Sequence, residues 1–188
     1  MYIKFGKRLF DLLLFLLISI LILPFLPFLL IALKSFDTGP LIFRQDRVGK
    51  DGKMFKLLKF RSMPEYISDM PSDKIDHIPL NPMQRFIRRT NIDEIPQLIN
   101  IFNAEMSFIG PRPALFDQQE LIELRRLGGS FELRPGLTGL AQINSFDGMS
   151  VNQKAELDNL YSLDIRFYKD IIIFFRTFIY LLKPPPVY

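Results

Sequence analysis

The sequence carries the uncharged run Leu12-Leu-Leu-Phe-Leu-Leu-Ile-Ser-Ile-Leu-Ile-Leu-Pro24-Phe-Leu-Pro27-Phe-Leu-Leu-Ile-Ala-Leu33. At ~1.5 Å per residue, a straight helix of this length would cover about 33 Å and could cross a bilayer. Pro24 and Pro27 interrupt the run, however, and prolines inside a helix remove backbone hydrogen bonds and kink it. Each half is too short to cross a bilayer by itself.

Basic residues flank this run on both sides, whereas a single crossing normally has the excess on the cytoplasmic side only. They are Lys4, Lys7 and Arg8 before the run, and Lys34, Arg44, Arg47 and Lys50 after it. We therefore predict that residues 1–36 form a re-entrant helix-break-helix, with the break at Pro24, that enters one leaflet and returns. A cleaved signal peptide is disfavoured, because the run is long for such a peptide and no small-residue cleavage site follows it.

Composition limits the remaining classes. With 188 residues and 48% hydrophobic content, the chain can bury one core in addition to a membrane element. The net charge of +4 suits nucleic acid, anionic lipid or phosphorylated substrates. The absence of cysteine excludes disulfides and thiolate metal sites. The single histidine, His77, lies in a proline-rich stretch (64–82) that predicts a surface loop, which argues against a histidine metal cluster or a Ser/His/Asp triad.

Two apolar runs interleaved with basic residues, 40–45 and 54–61, lie on either side of the turn signal Asp51-Gly52. This pattern predicts a β-hairpin. Side chains alternate between the faces of a strand, so Lys59 and Arg61 would share one face.

The segment Arg85-Phe-Ile-Arg-Arg-Thr-Asn-Ile-Asp93-Glu94-Ile-Pro-Gln combines cations with a carboxylate pair. Arg85, Arg88 and Arg89 are spaced to share one stripe of a helix, and guanidinium groups match phosphate oxygens. The alternative for an arginine stripe is an ordinary solvated face.

Asp93 and Glu94 precede an apolar helical run, with Pro96 tolerated in its first turn. We expect nearby arginines to lower the pKa of Asp93, so that it is ionised and able to attack phosphorus or hold a cation. The alternative for the pair is helix capping.

Four later segments complete the prediction. Prolines on both sides of Arg112 restrict its backbone to an extended form, although an exposed arginine in a turn is the alternative. Gly136 and Gly139 suit close backbone approach by a ligand or another segment.

Residues 117–127 predict a charged surface helix. Residues 163–183 predict an interfacial amphipathic helix, because Arg166, Lys169, Asp170 and Arg176 interrupt an apolar run too short to span, with a core helix as the alternative.

The predicted fold class is therefore α+β and mostly helical. A re-entrant membrane segment (1–36), a small β-hairpin and interfacial helices surround a cytoplasmic catalytic domain (37–188).

The order of these motifs resembles the bacterial sugar transferase family, the monotopic polyprenyl-phosphate phosphoglycosyl transferases. The resemblance covers nearly the whole chain. It is carried by the kinked apolar segment and by the stretches 55–63, 93–98, 106–113 and 134–142. The chain looks like the minimal catalytic form, without the additional N-terminal transmembrane domain of larger members.

The resemblance implies transfer of a sugar phosphate from a UDP-sugar to undecaprenyl phosphate, with release of UMP and with Mg²⁺ as cofactor. It places this reaction at the cytoplasmic leaflet of the bacterial inner membrane, where it would initiate glycan assembly. The residues that match the family's motifs are the nucleophile Asp93, the metal-binding Glu94, the phosphate-binding Lys59, Arg88 and Arg112, and the helix-breaking Pro24. Two further candidates are Arg85, from the arginine stripe, and Asp170, which matches an acidic residue near the family's site.

The chain departs from many relatives after Asn144, where they carry Gly-Arg and soon afterwards a tryptophan. Here Ser145-Phe146-Asp147 follows, and the chain has no tryptophan. Sugar recognition is therefore the property that the resemblance does not predict for this chain.

Two other classes remain as alternatives. A non-catalytic peripheral protein that binds anionic lipids explains the charge and the apolar segments, but gives no reason for Asp93 beside Glu94. A nucleic-acid-binding protein explains the arginine stripe but not residues 12–33, and the sequence contains no recognised nucleic-acid-binding motif.

We predict that both ends of the apolar run face the cytoplasm. Because the chain contains no cysteine, single-cysteine variants at Lys4 and Ser35 can be labelled in intact cells without background from native thiols. Neither should react with an impermeant thiol reagent applied from outside, whereas both should react after the cells are permeabilised. Labelling of either position from outside would contradict the re-entrant arrangement.

Overall fold

The computed structural model describes residues 2–36, 39–62, 82–144 and 148–182. The helices are α1 (Lys7–Ile22), α2 (Leu26–Phe36), α3 (Pro82–Thr90), α4 (Gln97–Phe102), α5 (Gln119–Gly128), α6 (Val151–Leu163) and α7 (Phe167–Leu181). The strands are β1 (Ile42–Val48), β2 (Met54–Phe60), β3 (Ser107–Ile109) and β4 (Gly136–Thr138). A mostly helical chain with small sheets confirms the α+β prediction. Apart from Pro82, which begins α3, the predicted proline-rich loop with His77 lies outside the described residues, as does the divergent segment 145–147.

The apolar run forms a bent helix pair. α1 and α2 meet at 68° across the break at residues 23–25, which contains Pro24. Pro27 lies in the first turn of α2, where proline costs no intrahelical hydrogen bond. In the described part of the chain no single helix is long and apolar enough to cross a membrane, whereas this pair together meets the length and hydropathy required. The predicted break at Pro24 is confirmed.

One side of α1 packs against the core that carries the rest of the fold. Phe10, Leu14, Phe15, Ile18 and Ile22 contact a cluster that includes the buried side chains of α4 and β3. The helix thus has one face in the protein and another that remains exposed. The predicted division at residue 36 stays a prediction, but α1 shares its core with the segments after it.

Two charged side chains of α1 reinforce this packing. Asp11 is fully buried, and its Oδ1 accepts hydrogen bonds from Ser107 Oγ and from the backbone N–H of Phe108, both at 2.9 Å. Arg8 donates to the carbonyl oxygens of Ile101 at 2.6 Å and Phe102 at 2.7 Å, at the end of α4. These contacts fix α1 to both α4 and β3.

β1 and β2 form the predicted hairpin, with Arg47 opposite Phe55 and Gln45 opposite Leu57. The turn uses left-handed backbone at Asp51 and Gly52, as the Asp-Gly signal requires. The first strand is longer than predicted and ends at Val48. Because opposed residues lie on the same face, Gln45, Arg47, Leu57 and Lys59 share one face of the hairpin.

The glycine-rich segment approaches another part of the chain. β4 runs parallel to β3, and Gly136 and Gly139 lie against the backbone of Gly110 so closely that a Cβ on either would collide with it. The prediction of close backbone approach is therefore confirmed, with the partner being the segment that precedes Arg112.

α7 has two different faces. Asp170 and Ile173 are buried, whereas Phe175 and Ile179 are 63% and 62% exposed. The core-helix alternative therefore holds for one face, and the other presents the apolar surface that an interfacial helix needs.

α5 and α6 are joined by a buried ion pair. Arg125 donates to Asp158 Oδ2 through Nε at 2.9 Å and Nη2 at 2.6 Å, and its Nη1 donates to the carbonyl oxygen of Arg112 at 2.9 Å. Burial raises the pKa of Asp158, while Arg125 opposes the rise. The predicted charged surface helix thus contributes a buried arginine to the core.

Removing one partner of this pair should strongly destabilise the fold. We expect Asp158→Ala to lower the free energy of unfolding by roughly 3–5 kcal/mol, because Arg125 would keep a buried, unpaired charge. Glu123→Ala, which breaks the exposed Arg126–Glu123 pair, is the matched control and should cost about 0–1 kcal/mol. Thermal melts in detergent measure both. Equal shifts in melting temperature for the two variants would contradict the stabilising role assigned to the buried Arg125–Asp158 pair.

Candidate active site

The acidic pair lies in a 3-10 turn, Ile92–Glu94, between α3 and α4. Asn91 begins the turn in a left-handed conformation, which asparagine tolerates better than most residues. Pro96 directly precedes the first residue of α4, where a missing N–H leaves no helical hydrogen bond unmade. The pair therefore lies just before α4, and Pro96 caps this helix instead of lying in its first turn as predicted.

Glu94 accepts the contacts of several cations. Lys59 Nζ lies 2.8 Å from Glu94 Oε1, and Arg112 Nη2 lies 3.8 Å from the same oxygen. Burial acts to raise the pKa of Glu94, but the charges of Lys59, Arg112 and Arg47 outweigh it and hold the pKa below its usual value. Glu94 is therefore an ionised carboxylate at neutral pH.

Asp93 has a different environment although it is the next residue in the chain. Its side chain is buried, and Ser62 Oγ donates to its Oδ2 at 3.3 Å. Burial raises the pKa of Asp93, the charge of Glu94 adds to the rise, and Lys59 and Arg88 offset only part of it. The expected lowering of this pKa is therefore wrong, because desolvation outweighs the nearby cations.

Only one arginine of the α3 stripe lies near the acidic pair. Arg88 is half-buried, and its charge acts on Asp93. Arg85 and Arg89 are exposed on the same helix. The structure thus brings Arg88 to the acidic pair and leaves the role of Arg85 a prediction.

Asp170 lies in a separate buried cluster. Its carboxylate accepts hydrogen bonds from Tyr2 Oη at 2.6 Å, Tyr161 Oη at 2.6 Å and Lys7 Nζ at 2.7 Å. These contacts connect the N-terminal turn and α1 to α6 and α7. Asp170 ties these elements together and does not line the cleft beside Glu94.

Arg112 lies in a loop whose backbone is held from several directions. The carbonyl oxygen of Pro113 accepts from Arg47 Nη1 at 2.9 Å, and that of Pro111 accepts from the backbone N–H of Gly136 at 2.8 Å. Arg125 holds the carbonyl oxygen of Arg112 itself. The flanking prolines and these bonds pre-organise the loop, and the Arg112 side chain, 31% exposed, reaches the cleft that Glu94 also lines.

Arg47 is a cleft residue, although its position in the sequence indicated only a basic flank of the apolar run. It lines the cleft with Lys59, Glu94 and Arg112, and burial together with the charge of Arg112 lowers its pKa to about 10. The alternation of side chains along the two strands could have identified Arg47, because it places Arg47 and Lys59 on the same face of the hairpin. Strand alternation could not have identified Ser62 as a partner of Asp93, because Ser62 lies beyond the end of β2.

The described residues contain no cluster of three or more aspartate, glutamate, histidine or cysteine side chains that could enclose a metal ion. Mg²⁺ commonly binds proteins through one or two carboxylates and completes its shell with substrate phosphates and water. The adjacent carboxylates of Asp93 and Glu94, with Lys59, Arg88 and Arg112 around them, fit that mode of binding.

Comparison with known proteins gives a consistent result. A family model described as bacterial sugar transferase matches residues 2–184. The UDP-glucose:undecaprenyl-phosphate glucose-1-phosphate transferase of Klebsiella pneumoniae is 38% identical over 185 residues, which cover 91% of this chain and 39% of that protein. The UDP-galactose-lipid carrier transferase of Erwinia amylovora is 36% identical over 98% of this chain and 42% of its own length.

Shorter relatives match over most of their length. A protein of Bacillus subtilis described as an uncharacterized sugar transferase, EpsL, is 36% identical over 91% of this chain and 84% of its own. The chain thus spans about two fifths of the Klebsiella and Erwinia relatives but most of the Bacillus relative. With a family match over nearly all of its residues, the chain belongs to the bacterial sugar transferase family.

Proposed function

We propose that this protein transfers a sugar phosphate from a UDP-sugar to undecaprenyl phosphate and releases UMP. The observation that carries the proposal is the convergence of Lys59, Arg88 and Arg112 on the buried pair Asp93–Glu94. A cleft with excess positive charge suits a diphosphate, and the buried carboxylate of Asp93, next in the chain to the cleft residue Glu94, suits nucleophilic catalysis. The names of the Klebsiella and Erwinia relatives support the same class of reaction.

Asp93 is the proposed nucleophile. Its carboxylate oxygen attacks the phosphorus bonded to the sugar, the bond from that phosphorus to the bridging oxygen breaks, and UMP leaves with the bonding electrons. An oxygen of undecaprenyl phosphate then attacks the same phosphorus and displaces the Asp93 carboxylate. The product is undecaprenyl diphosphate sugar.

The surrounding cations have a separate role. Lys59, Arg88 and Arg112 stabilise the negative charge that develops on the phosphoryl oxygens and on the departing UMP. Their positions are fixed by the hairpin, α3 and the Pro111–Pro113 loop, so little reorganisation is needed during the reaction. Glu94 is the carboxylate we assign to Mg²⁺, which would neutralise diphosphate charge when bound.

The membrane arrangement is part of the proposal. The bent pair α1–α2 exposes many large apolar side chains along its length, and α7 exposes more. Such surfaces suit a helix-break-helix seated in the cytoplasmic leaflet of the inner membrane and an interfacial helix beside it. This position at the membrane surface would give the cleft access to a lipid phosphate in the membrane and to a UDP-sugar in the cytoplasm, as the initiating step of glycan assembly requires. A non-catalytic lipid-binding protein would have the same apolar surfaces but no use for the buried acidic pair.

The Asp93→Asn variant should fold and lose almost all transferase activity, because an amide cannot form the phospho-sugar intermediate. The direct measurement is mass spectrometry of the wild-type protein after incubation with UDP-sugar alone. We expect a sugar-phosphate adduct on the peptide that contains Asp93 and none in the variant. Asp46→Asn, which changes an exposed aspartate on the hairpin, is the matched control and should keep both the activity and the adduct.

Two results would contradict the assignment. Wild-type activity of Asp93→Asn would remove the proposed nucleophile. Full activity of the wild-type protein with no adduct under single-turnover conditions would indicate direct transfer between the two substrates.

A further inference from the structure

Arg47 is placed in the cleft by the hairpin. It occupies the same face as Lys59, and its side chain lines the cleft together with Lys59, Glu94 and Arg112. The other face of β1 carries Arg44 and Asp46, which are exposed. Two arginines of one strand therefore have opposite environments, one inside the cleft and one in solvent.

Neutral groups hold the guanidinium of Arg47 in place. Gln45 Oε1 accepts from Nε at 3.1 Å and from Nη2 at 2.6 Å, and the carbonyl oxygen of Pro113 accepts from Nη1 at 2.9 Å. A guanidinium has five N–H groups. Within the described residues, these bonds leave one N–H on Nη1 and one on Nη2 for a further acceptor.

The charge of Arg47 is not balanced by an ion pair in the described part of the chain. Glu94 Oε1 is already contacted by Lys59 at 2.8 Å and by Arg112 at 3.8 Å, and the partners of Arg47 are an amide and a backbone carbonyl. The charges of Glu94 and Asp117 favour the cation from a distance, but no carboxylate among the described residues pairs with it, and burying an unpaired cation is costly. Arg112 adds repulsion, since its charge lowers the pKa of Arg47. An anion that contacts both arginines would remove this cost.

We propose that Arg47 binds the diphosphate of the nucleotide-sugar, through its remaining Nη1 and Nη2 N–H groups and beside Arg112. The inference rests on the proposed function and adds a binding residue to it. The ligand chemistry is a phosphate with at least two acceptor oxygens, which matches the planar fork of arginine better than the ammonium of lysine. The bond to Pro113 has a second effect, because it holds the loop that carries Arg112.

Binding of UDP and of inorganic pyrophosphate by the detergent-solubilised protein tests this assignment. Calorimetry at a fixed Mg²⁺ concentration would compare the wild type with Arg47→Gln, Arg47→Lys and the control Arg44→Gln. Arg47→Gln should weaken binding of both ligands by roughly 10- to 150-fold, the loss expected for a hydrogen bond between charged groups. Arg44→Gln should bind like the wild type, because it removes the same charge from the opposite face of the same strand.

Pyrophosphate separates a direct contact from a structural role. If Arg47 only supported a nucleoside pocket, Arg47→Gln would lose affinity for UDP and keep it for pyrophosphate, which would overturn the inference. Equal losses in Arg47→Gln and Arg44→Gln would indicate a general effect of charge and would overturn it as well. A change confined to the KM for undecaprenyl phosphate would assign Arg47 to the lipid phosphate instead and would overturn the nucleotide assignment.

Arg47→Lys keeps the inference testable if Arg47→Gln does not fold. It retains the charge but lacks the fork, so it should bind both ligands more weakly than the wild type, and wild-type affinity would contradict the proposal. Failure of the proposed function gives a different result, namely a wild-type protein that binds neither UDP nor pyrophosphate. If the wild type binds both and Arg47→Gln binds them equally well, only the inference about Arg47 fails.

Discussion

The hydrogen bonds of the buried Asp11 carboxylate to β3 are the interaction on which the packing of α1 against the rest of the molecule depends most. Asp11 lies on a mostly apolar helix and accepts two hydrogen bonds from β3, the strand that leads directly into the Arg112 loop. One turn earlier, Arg8 binds the carbonyl oxygens at the end of α4, the helix that follows the acidic turn. Asp11 Oδ1 is paired with β3, whereas its buried Oδ2 has no hydrogen-bond partner among the described residues. Moving α1 away from β3 would leave both oxygens unpaired, which is costly for a buried carboxylate. The two segments that carry Glu94 and Arg112 are thereby fixed to the same helix.

This connection makes the apolar segment part of the cleft's framework as well as a hydrophobic surface. The inner face of α1 contacts the core and its outer face is exposed. Any surface that holds the outer face of α1 therefore also fixes the orientation of the cleft. An enzyme that joins a water-soluble donor to a lipid acceptor needs such an orientation, since the reacting phosphorus must be accessible to both. The Asp170 cluster supports the same arrangement by tying the start of α1 to α6 and α7.

Local patterns in the sequence predicted the elements of this fold but not which charges become buried. The Asp-Gly turn located the hairpin, Pro24 located the break between α1 and α2, and the pair of glycines located a close backbone approach. Burial depends on segments far apart in the chain, so the raised pKa of Asp93 and the Arg125–Asp158 pair had no local signal. Arg47 is intermediate, because strand alternation places it beside Lys59 once the register of the hairpin is known. For the candidate site, motif order identified the acidic pair, and the contacts of Lys59 and Arg112 with Glu94 agree with it.

The most direct test of the account is UMP release by the purified protein in detergent, measured with a panel of UDP-sugars and undecaprenyl phosphate. We expect UMP release above background with at least one UDP-sugar, dependent on Mg²⁺, and sustained turnover only when undecaprenyl phosphate is present. Without the lipid, release should stop at about one UMP per protein molecule, because the phospho-sugar enzyme cannot be discharged. A folded, membrane-bound protein that releases no UMP with any sugar in the panel would contradict the account and favour a lipid-binding role without catalysis.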